Sequence, residues 1–202
     1  FHELGPILGS HQAGDTIEAV VVHGQERRTI LLTLGRRPVE EVPATADDLA
    51  NRVADLYAET DAALKTAVAG LTDQEAGRSP SKGEWSVKEV LAHLSITERD
   101  QQCFGFCVAV DGFVDTGPGD AAALSARLAA ALEATPTLDG MVSRFLADEA
   151  ETVALIRRLP ATTVAHKARF HRFGQYTVGL PAHTREHIEQ IKAAIQAIRA
   201  GQ

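Results

Sequence analysis

Several features that would define a class of function are missing from this sequence. Only two of its 202 residues are cysteine, and they stand four residues apart at Cys103 and Cys107. Two cysteines cannot form a disulfide framework, and nothing in the sequence demands an oxidising compartment. We expect both to be small buried residues on one face of a helix, and we expect a cytoplasmic protein.

Long apolar runs and an excess of basic residues are also absent. No stretch approaches the roughly 20 apolar residues that span a bilayer, and no signal peptide is visible. The formal net charge of -7 argues against nucleic acid or an anionic membrane as a partner. Glycine-rich phosphate loops, CxxC zinc frameworks and serine nucleophile motifs do not occur. The remaining composition, 45% hydrophobic and 23% charged, is that of a globular protein.

Residues 1–43 have the pattern of a short helix followed by a β-hairpin. Apolar residues in FHELGPILGS have helical spacing, and AGDTIEAVVVH and RRTILLTLG are β-rich runs joined at GQE. This order of helix, Gly-Asp turn and strand pair resembles the C-terminal part of a PDZ domain. The carboxylate-binding loop and the peptide-capturing strand of that family have no counterpart here, so peptide binding does not carry over. Because a helix and one hairpin are too small to fold alone, and the first residue is Phe1, we expect a longer parent protein.

After a proline-containing linker, residues 46–202 show helical periodicity in every strong segment. Four long amphipathic helices are predicted, beginning near Thr45, at the capping box of Ser86 and Glu89, near Leu138 and near Thr177. A short helix at 121–133 and the glycine-rich break DTGPGD separate the second from the third. The sequence therefore predicts a mainly α protein, a four-helix bundle with a crossover connection, preceded by the small helix and hairpin. We expect residues 160–176 to form an irregular loop that holds His166 and His171.

Two histidines stand four residues apart at the head of the last helix, in LPAHTREHIEQI. His183 and His187 lie about 6 Å apart along the helix axis, so both imidazoles can reach one metal ion at about 2.1 Å. His93, at the edge of the apolar face of the second helix, is the best third ligand, because bundle sites are built from facing helices. Spacing alone leaves another interpretation open, in which these histidines are hydrogen-bonded residues that cap or rim the bundle.

Three segments, in this order, resemble the DinB-like family of metal-binding four-helix bundles: GEWSVKEVLAHL, RFGQYTVG and HTREHIEQI. The resemblance covers residues 46–202 and implies a divalent metal bound by His93, His183 and His187. Zinc or nickel is the expected ion, with iron as an alternative, since neutral imidazoles suit these metals. Pro181 departs from the family pattern. Because proline fits only the first turn of a helix, we expect the last helix to begin at this residue or one before it.

Three polar residues near the predicted triad could support its ligands. Glu89 lies one turn before His93 and either orients that imidazole or serves only the capping box. Gln190 and Glu186 stand beside the histidine pair, and each either contacts the site or is a solvated surface residue. No convincing general base appears, so the catalytic residues are unknown at this stage.

A site with three neutral ligands would leave the full positive charge of the ion, and part of its surface, available to a substrate. Bound water or a bound thiol would lose its proton near neutral pH, and the DinB-like resemblance implies thiol-dependent transferases and isomerases. We expect a metal-dependent enzyme, a transferase or a hydrolase, that activates a low-molecular-weight thiol or water on a small-molecule substrate. The alternative is a non-catalytic metal-binding stress or scaffold protein with a PDZ-like docking segment. The sequence does not fix the oligomeric state, and a homodimer is compatible with it.

Overall fold

The computed structural model describes residues 10–23, 26–35, 41–109 and 121–201. The chain divides into two compact units, Phe1–Val39 and Glu40–Gln202. The helix predicted within the first ten residues and the glycine-rich break DTGPGD fall outside the described residues.

The first unit contains a two-stranded antiparallel sheet. Strand β1 (Thr16–His23) pairs with β2 (Glu26–Thr33), with Thr16 opposite Thr33. Gly14, just before β1, has a φ of 102°, a left-handed conformation that glycine adopts without a steric penalty. The predicted hairpin is confirmed, and its likeness to a PDZ domain stays a prediction.

The described part of the second unit is helical. Its helices are α1 (Ala46–Val68), α2 (Asp73–Ala76), α3 (Val87–Ala109), α4 (Ala121–Ala134), α5 (Leu138–Arg157), α6 (Ala161–Ala165) and α7 (Lys167–Ala200). Four of them, α1, α3, α5 and α7, form a bundle in which α1 and α3 each pack against both α5 and α7. The predicted mainly α fold is confirmed. Within the described residues no helix combines the length and apolar character that crossing a membrane requires.

Side-chain caps fix the first residues of the long helices, as two sequence motifs predict. Thr45 Oγ1 accepts a hydrogen bond of 3.1 Å from the backbone N–H of Asp48 at the start of α1. At the start of α3, the Ser86 N–H donates to Glu89 Oε2 at 2.7 Å, and Ser86 Oγ accepts from the Glu89 N–H at 3.3 Å. Each cap satisfies backbone donors that the helix itself cannot, and contributes about 1 kcal/mol.

Two apolar clusters show in which direction the bundle helices run. The first contains the C-terminal end of α1, the N-terminal halves of α3 and α5, and the C-terminal half of α7. The second contains the N-terminal half of α1, the C-terminal end of α5 and the N-terminal half of α7. Helices α3 and α5 therefore run parallel, so the chain must return along the bundle between them. This is the predicted crossover, and α4, which packs on α3, lies within it.

The last helix departs from the prediction. Helix α7 begins at Lys167 and continues through Pro181, so the loop predicted over residues 160–176 and the helix start at the proline are both wrong. An internal proline lacks the N–H that would bond the carbonyl four residues earlier, at a cost of about 3 kcal/mol. Phe170, Phe173 and Val178 are buried in the second apolar cluster. Each buried side chain of this size contributes about 1.5–3 kcal/mol, which together outweighs the cost of the proline.

Buried polar side chains lie between the two apolar clusters along α1, α3 and α5. Tyr57 Oη donates to Glu98 Oε1 at 2.7 Å, and Thr152 Oγ1 donates to the same oxygen. Glu149 is only 2% exposed, and neither of its carboxylate oxygens accepts a hydrogen bond from a donor among the described residues. We name these four side chains, Tyr57, Glu98, Glu149 and Thr152, the polar layer, which was not predicted from the sequence.

Candidate metal centre

Helices α3 and α7 approach each other closely, which brings side chains of both to one site. A β-carbon at Gly105 of α3 would lie 2.4 Å from ring atom Cε2 of Phe173 in α7, so a glycine permits this approach. His93 stands in the N-terminal half of α3, while His183 and His187 stand at the middle of α7 rather than in its first turns. All three imidazoles are half-buried.

The three predicted histidines converge. One ring nitrogen can be chosen from each histidine so that the three nitrogens all lie within 4.8 Å of one another. No other group of three or more His, Cys, Asp or Glu in the described residues meets this condition. The ring centroids are 4.5 Å apart for His183 and His187, 4.8 Å for His93 and His187, and 5.4 Å for His93 and His183. The Nε2 atoms of His183 and His187 are separated by 3.1 Å.

These donors fit a divalent transition metal. Two nitrogens that each lie about 2.1 Å from one ion are ~3.0–3.4 Å apart at octahedral or tetrahedral angles, and the two Nε2 atoms of α7 already have such a separation. Nδ1 of His93 is buried and has no hydrogen-bond partner in the part of the chain that the structure describes. No described protein group therefore competes for that nitrogen.

Burial keeps these imidazoles in the form that a metal requires. The pKa of His93 is lowered to about 4, chiefly by burial and in addition by the neighbouring His187 and His183. Burial also lowers the pKa of His183, again with a contribution from His187. Both rings are therefore neutral at pH 7 and retain a lone pair for an ion.

Gln190 contacts one of the three histidines directly. His187 Nδ1 and Gln190 Oε1 are 2.7 Å apart, and because a carbonyl oxygen only accepts, the imidazole donates from Nδ1. The lone pair of His187 then lies on Nε2, which points towards His183. Hydrogen bonds of this kind fix the tautomer and orientation of metal-binding histidines.

The two acidic candidates lie in different surroundings. Glu89 accepts hydrogen bonds from the N–H and the hydroxyl of Ser86 and so completes the capping box, while the buried Nδ1 of His93 has no partner in the described residues. Glu186 is exposed, and its charge acts to raise the pKa of His183 against the effect of burial. Neither carboxylate makes a hydrogen bond to the triad in the described structure.

His166, His171 and the two cysteines do not belong to the triad. His166 caps α7, with Nδ1 accepting from the Arg169 N–H at 3.4 Å, and His171 is exposed on the same helix. Cys103 is exposed and Cys107 half-buried, so the prediction that both are buried is wrong. The buried stripe of α3 passes through Gly105 instead, which turns Cys103 away from the bundle interior.

Two features beside the triad were not predicted as parts of a site. The ring of Trp85 lies 5.0 Å from that of His93, at an interplanar angle of 46°. A cleft of about 600 Å³ opens next to His187, between α7 and the segment that precedes α3; its lining comprises Pro80, Gly83, Glu84, Trp85, His187, Gln190, Ala193, Ala194 and Ala197. The sequence signal for this cleft is a pair of exposed alanines, Ala193 and Ala197, which stand four residues apart after the histidine pair and so lie on one side of α7.

The fold and this site define a class of protein: a four-helix bundle in which two facing helices bring together three histidines. A family model described as the DinB superfamily matches residues 56–191, which is more than half of the chain and includes all three histidines. The chain belongs to the DinB superfamily, as the three sequence segments predicted. No curated protein and no solved structure matches it significantly.

Proposed function

We propose that this protein is a metal-dependent enzyme in which His93, His183 and His187 bind one divalent ion and activate a low-molecular-weight thiol, or water, towards a small-molecule substrate. The observation that supports the proposal is the convergence of three imidazoles from two helices, with two Nε2 atoms 3.1 Å apart. Zinc and nickel are the first candidates for the ion and iron is the third, since all accept neutral imidazole ligands.

The ligand set suits the activation of a nucleophile. A divalent ion held by neutral ligands keeps its charge and, when bound, lowers the pKa of a coordinated thiol or water towards neutrality. The residues of the chain provide the rest: Gln190 holds the tautomer of His187, and Trp85 packs against the ring of His93. Thiol transfer is the first reaction to test and metal-assisted hydrolysis the second.

The cleft supports an enzyme over the alternative of a non-catalytic metal-binding stress or scaffold protein. Small-molecule sites are concave and measure about 300–1,000 Å³, and the cleft beside His187 measures about 600 Å³. A protein that only stores or displays a metal needs no such cavity next to a ligand.

Elemental analysis of protein purified without a histidine tag tests the metal. We expect about one divalent ion per chain, and loss of that ion in His93→Ala, His183→Ala and His187→Ala. The matched control is His171→Ala, because His171 is an exposed histidine on the same helix as two of the ligands. Circular dichroism of each variant verifies that the helices remain. Metal retained in the three triad variants would contradict the proposal.

Steady-state kinetics with a panel of thiols, with and without the ion, tests catalysis. We expect turnover that saturates with substrate, disappears on chelation and returns when the ion is restored. One metal ion per chain without turnover of any thiol or hydrolysable substrate would favour the stress or scaffold alternative. A partner protein that binds the PDZ-like segment would support that alternative further.

A further inference from the structure

The cleft beside the triad follows α7, and most of its lining residues are apolar. It extends along α7 from His187 to Ala197, ten residues that span ~15 Å of helix. Beyond His187 and Gln190, the α7 side consists of Ala193, Ala194 and Ala197, where each side chain is a single methyl group. Trp85 presents an aromatic ring from the facing segment. The cleft exists because the α7 side carries alanine where larger residues would fill the space.

The segment facing α7 is anchored near both ends, so the cleft is a built feature. Before it, Glu75 of α2 pairs with Arg199 of α7 at 3.2 Å, and the same carboxylate completes a capping box with Thr72. At its other end, Trp85 packs against the first apolar cluster and against the ring of His93.

The charges around the cleft disfavour an anionic occupant. Glu84 is the acidic residue of the lining, and none of the described lining residues is lysine or arginine. Away from the ion proposed at the triad, a carboxylate or phosphate on the occupant would lose water without gaining a cationic partner, which is unfavourable. An alkyl or aryl group gains from leaving water, in proportion to its buried area.

We propose that the substrate carries an uncharged alkyl or aryl arm that lies along the Ala193 and Ala197 face of α7, with its reacting group next to His187. This inference rests on the proposed function for the reaction itself, but the preference of the cleft for an apolar arm can be measured separately. It defines the substrate class as small molecules with one reactive end and one apolar end.

The chain carries its own reporter for this test. Trp85 is the only tryptophan in the sequence and lines the cleft, so its fluorescence reports an occupant without requiring turnover. Zinc-loaded protein is titrated with 4-phenylbutane-1-thiol and with 4-mercaptobutanoate, which differ in whether the arm is apolar or charged. We expect a saturable change in emission with the first compound, at a Kd at least about tenfold below that of the second.

Leucine substitutions test the position of the arm. Ala193→Leu and Ala197→Leu place larger side chains in the cleft, and we expect each to weaken 4-phenylbutane-1-thiol about tenfold or more while zinc content stays unchanged. Ala200→Leu is the matched control, because Ala200 is exposed on the same helix and outside the cleft. Undiminished binding in the two cleft variants, or tighter binding of the carboxylate compound, would overturn the inference.

A second titration separates this inference from the proposed function. Metal-free protein is titrated with 4-phenylbutan-1-ol, which has the arm but no thiol. Saturable binding that Ala193→Leu abolishes supports the cleft assignment, even if elemental analysis has rejected a metal at the triad. Full metal binding together with no response of Trp85 to either phenylbutyl compound would reject the apolar arm and leave the metal proposal standing.

Discussion

Replacing Glu149 by glutamine is expected to stabilise the protein, by an amount that grows with pH. Glu149 is 2% exposed and its oxygens have no hydrogen-bond donor in the described structure. The pKa of Glu149 is raised from an ordinary 4.5 to about 11. Burial is the largest cause; a hydrogen bond to Asp61 and the charges of Asp61 and Glu98 also raise it, while Lys65 opposes them. The carboxyl group is therefore protonated in the folded protein at pH 7 and ionised in the unfolded chain.

The size of the effect follows from the proton that folding takes up. Between pH 4.5 and about 11 the folded state binds one more proton than the unfolded state at Glu149, so the free energy of unfolding falls as pH rises through this window. Each pH unit above 4.5 removes about 1.36 kcal/mol. The loss is thus under about 1 kcal/mol at pH 5 and about 3 kcal/mol at pH 7. Glutamine has nearly the same shape, is neutral at every pH, and offers an amide N–H to the carboxylate of Asp61.

Urea unfolding, followed by circular dichroism at pH 5, 6, 7 and 8, measures this difference. Subtracting the free energy of unfolding of the native protein from that of the variant at each pH removes the contribution of the other titrating groups. We expect Glu149→Gln to be more stable at pH 7 by about 2–3 kcal/mol, with a gain that increases by about 1.4 kcal/mol per pH unit. Glu151→Gln, an exposed glutamate of the same helix, is the matched control and should show no pH-dependent gain. A difference that is flat with pH, or a variant less stable at pH 8 than the native protein, would refute the reasoning.

Three further predictions concern the site, a helix cap and a cysteine. Gln190→Leu removes the acceptor for Nδ1 of His187, so we expect metal affinity to fall about 10–100-fold in a chelator competition while the fold is retained; an unchanged affinity would contradict the contact. Thr45→Ala removes the first cap of α1 and should lower the free energy of unfolding by about 1 kcal/mol in urea; no change would mean that solvent caps the helix equally well. Cys103 is exposed and should react with a thiol reagent in the native protein faster than Cys107, as mass spectrometry after brief labelling would show; a faster reaction at Cys107 would reverse this order.

Local rules predicted much of the fold. The capping box of Ser86 and Glu89 fixes the first turn of α3 through contacts within four residues of chain. The hairpin needs only two β-rich runs and a short turn, and the long helices need only a stripe of apolar residues. A helix also places residues four apart on one side, so the approach of His183 and His187 follows once that segment is helical.

Where the local rules failed, burial elsewhere in the bundle had overridden them. Proline destabilises the interior of an isolated helix, but the burial of Phe170 and Phe173, which precede Pro181, keeps α7 continuous. The polar layer left a faint signal, because Glu149 stands four residues after Phe145 and three before Thr152, on the inner side of α5. Periodicity shows that such a residue faces inward, and it does not show what it meets there.

By itself, the sequence determined which segments are helices, where most of them begin and which two histidines share a face, because these depend on neighbours along the chain. The tertiary structure brings His93 to that pair, packs the ring of Trp85 against that of His93 and opens a cleft along the alanines of α7. Each of these depends on how far α3 is turned about its axis against α7. That rotation is set by how all four helices share their apolar surfaces, and no single segment contains this information.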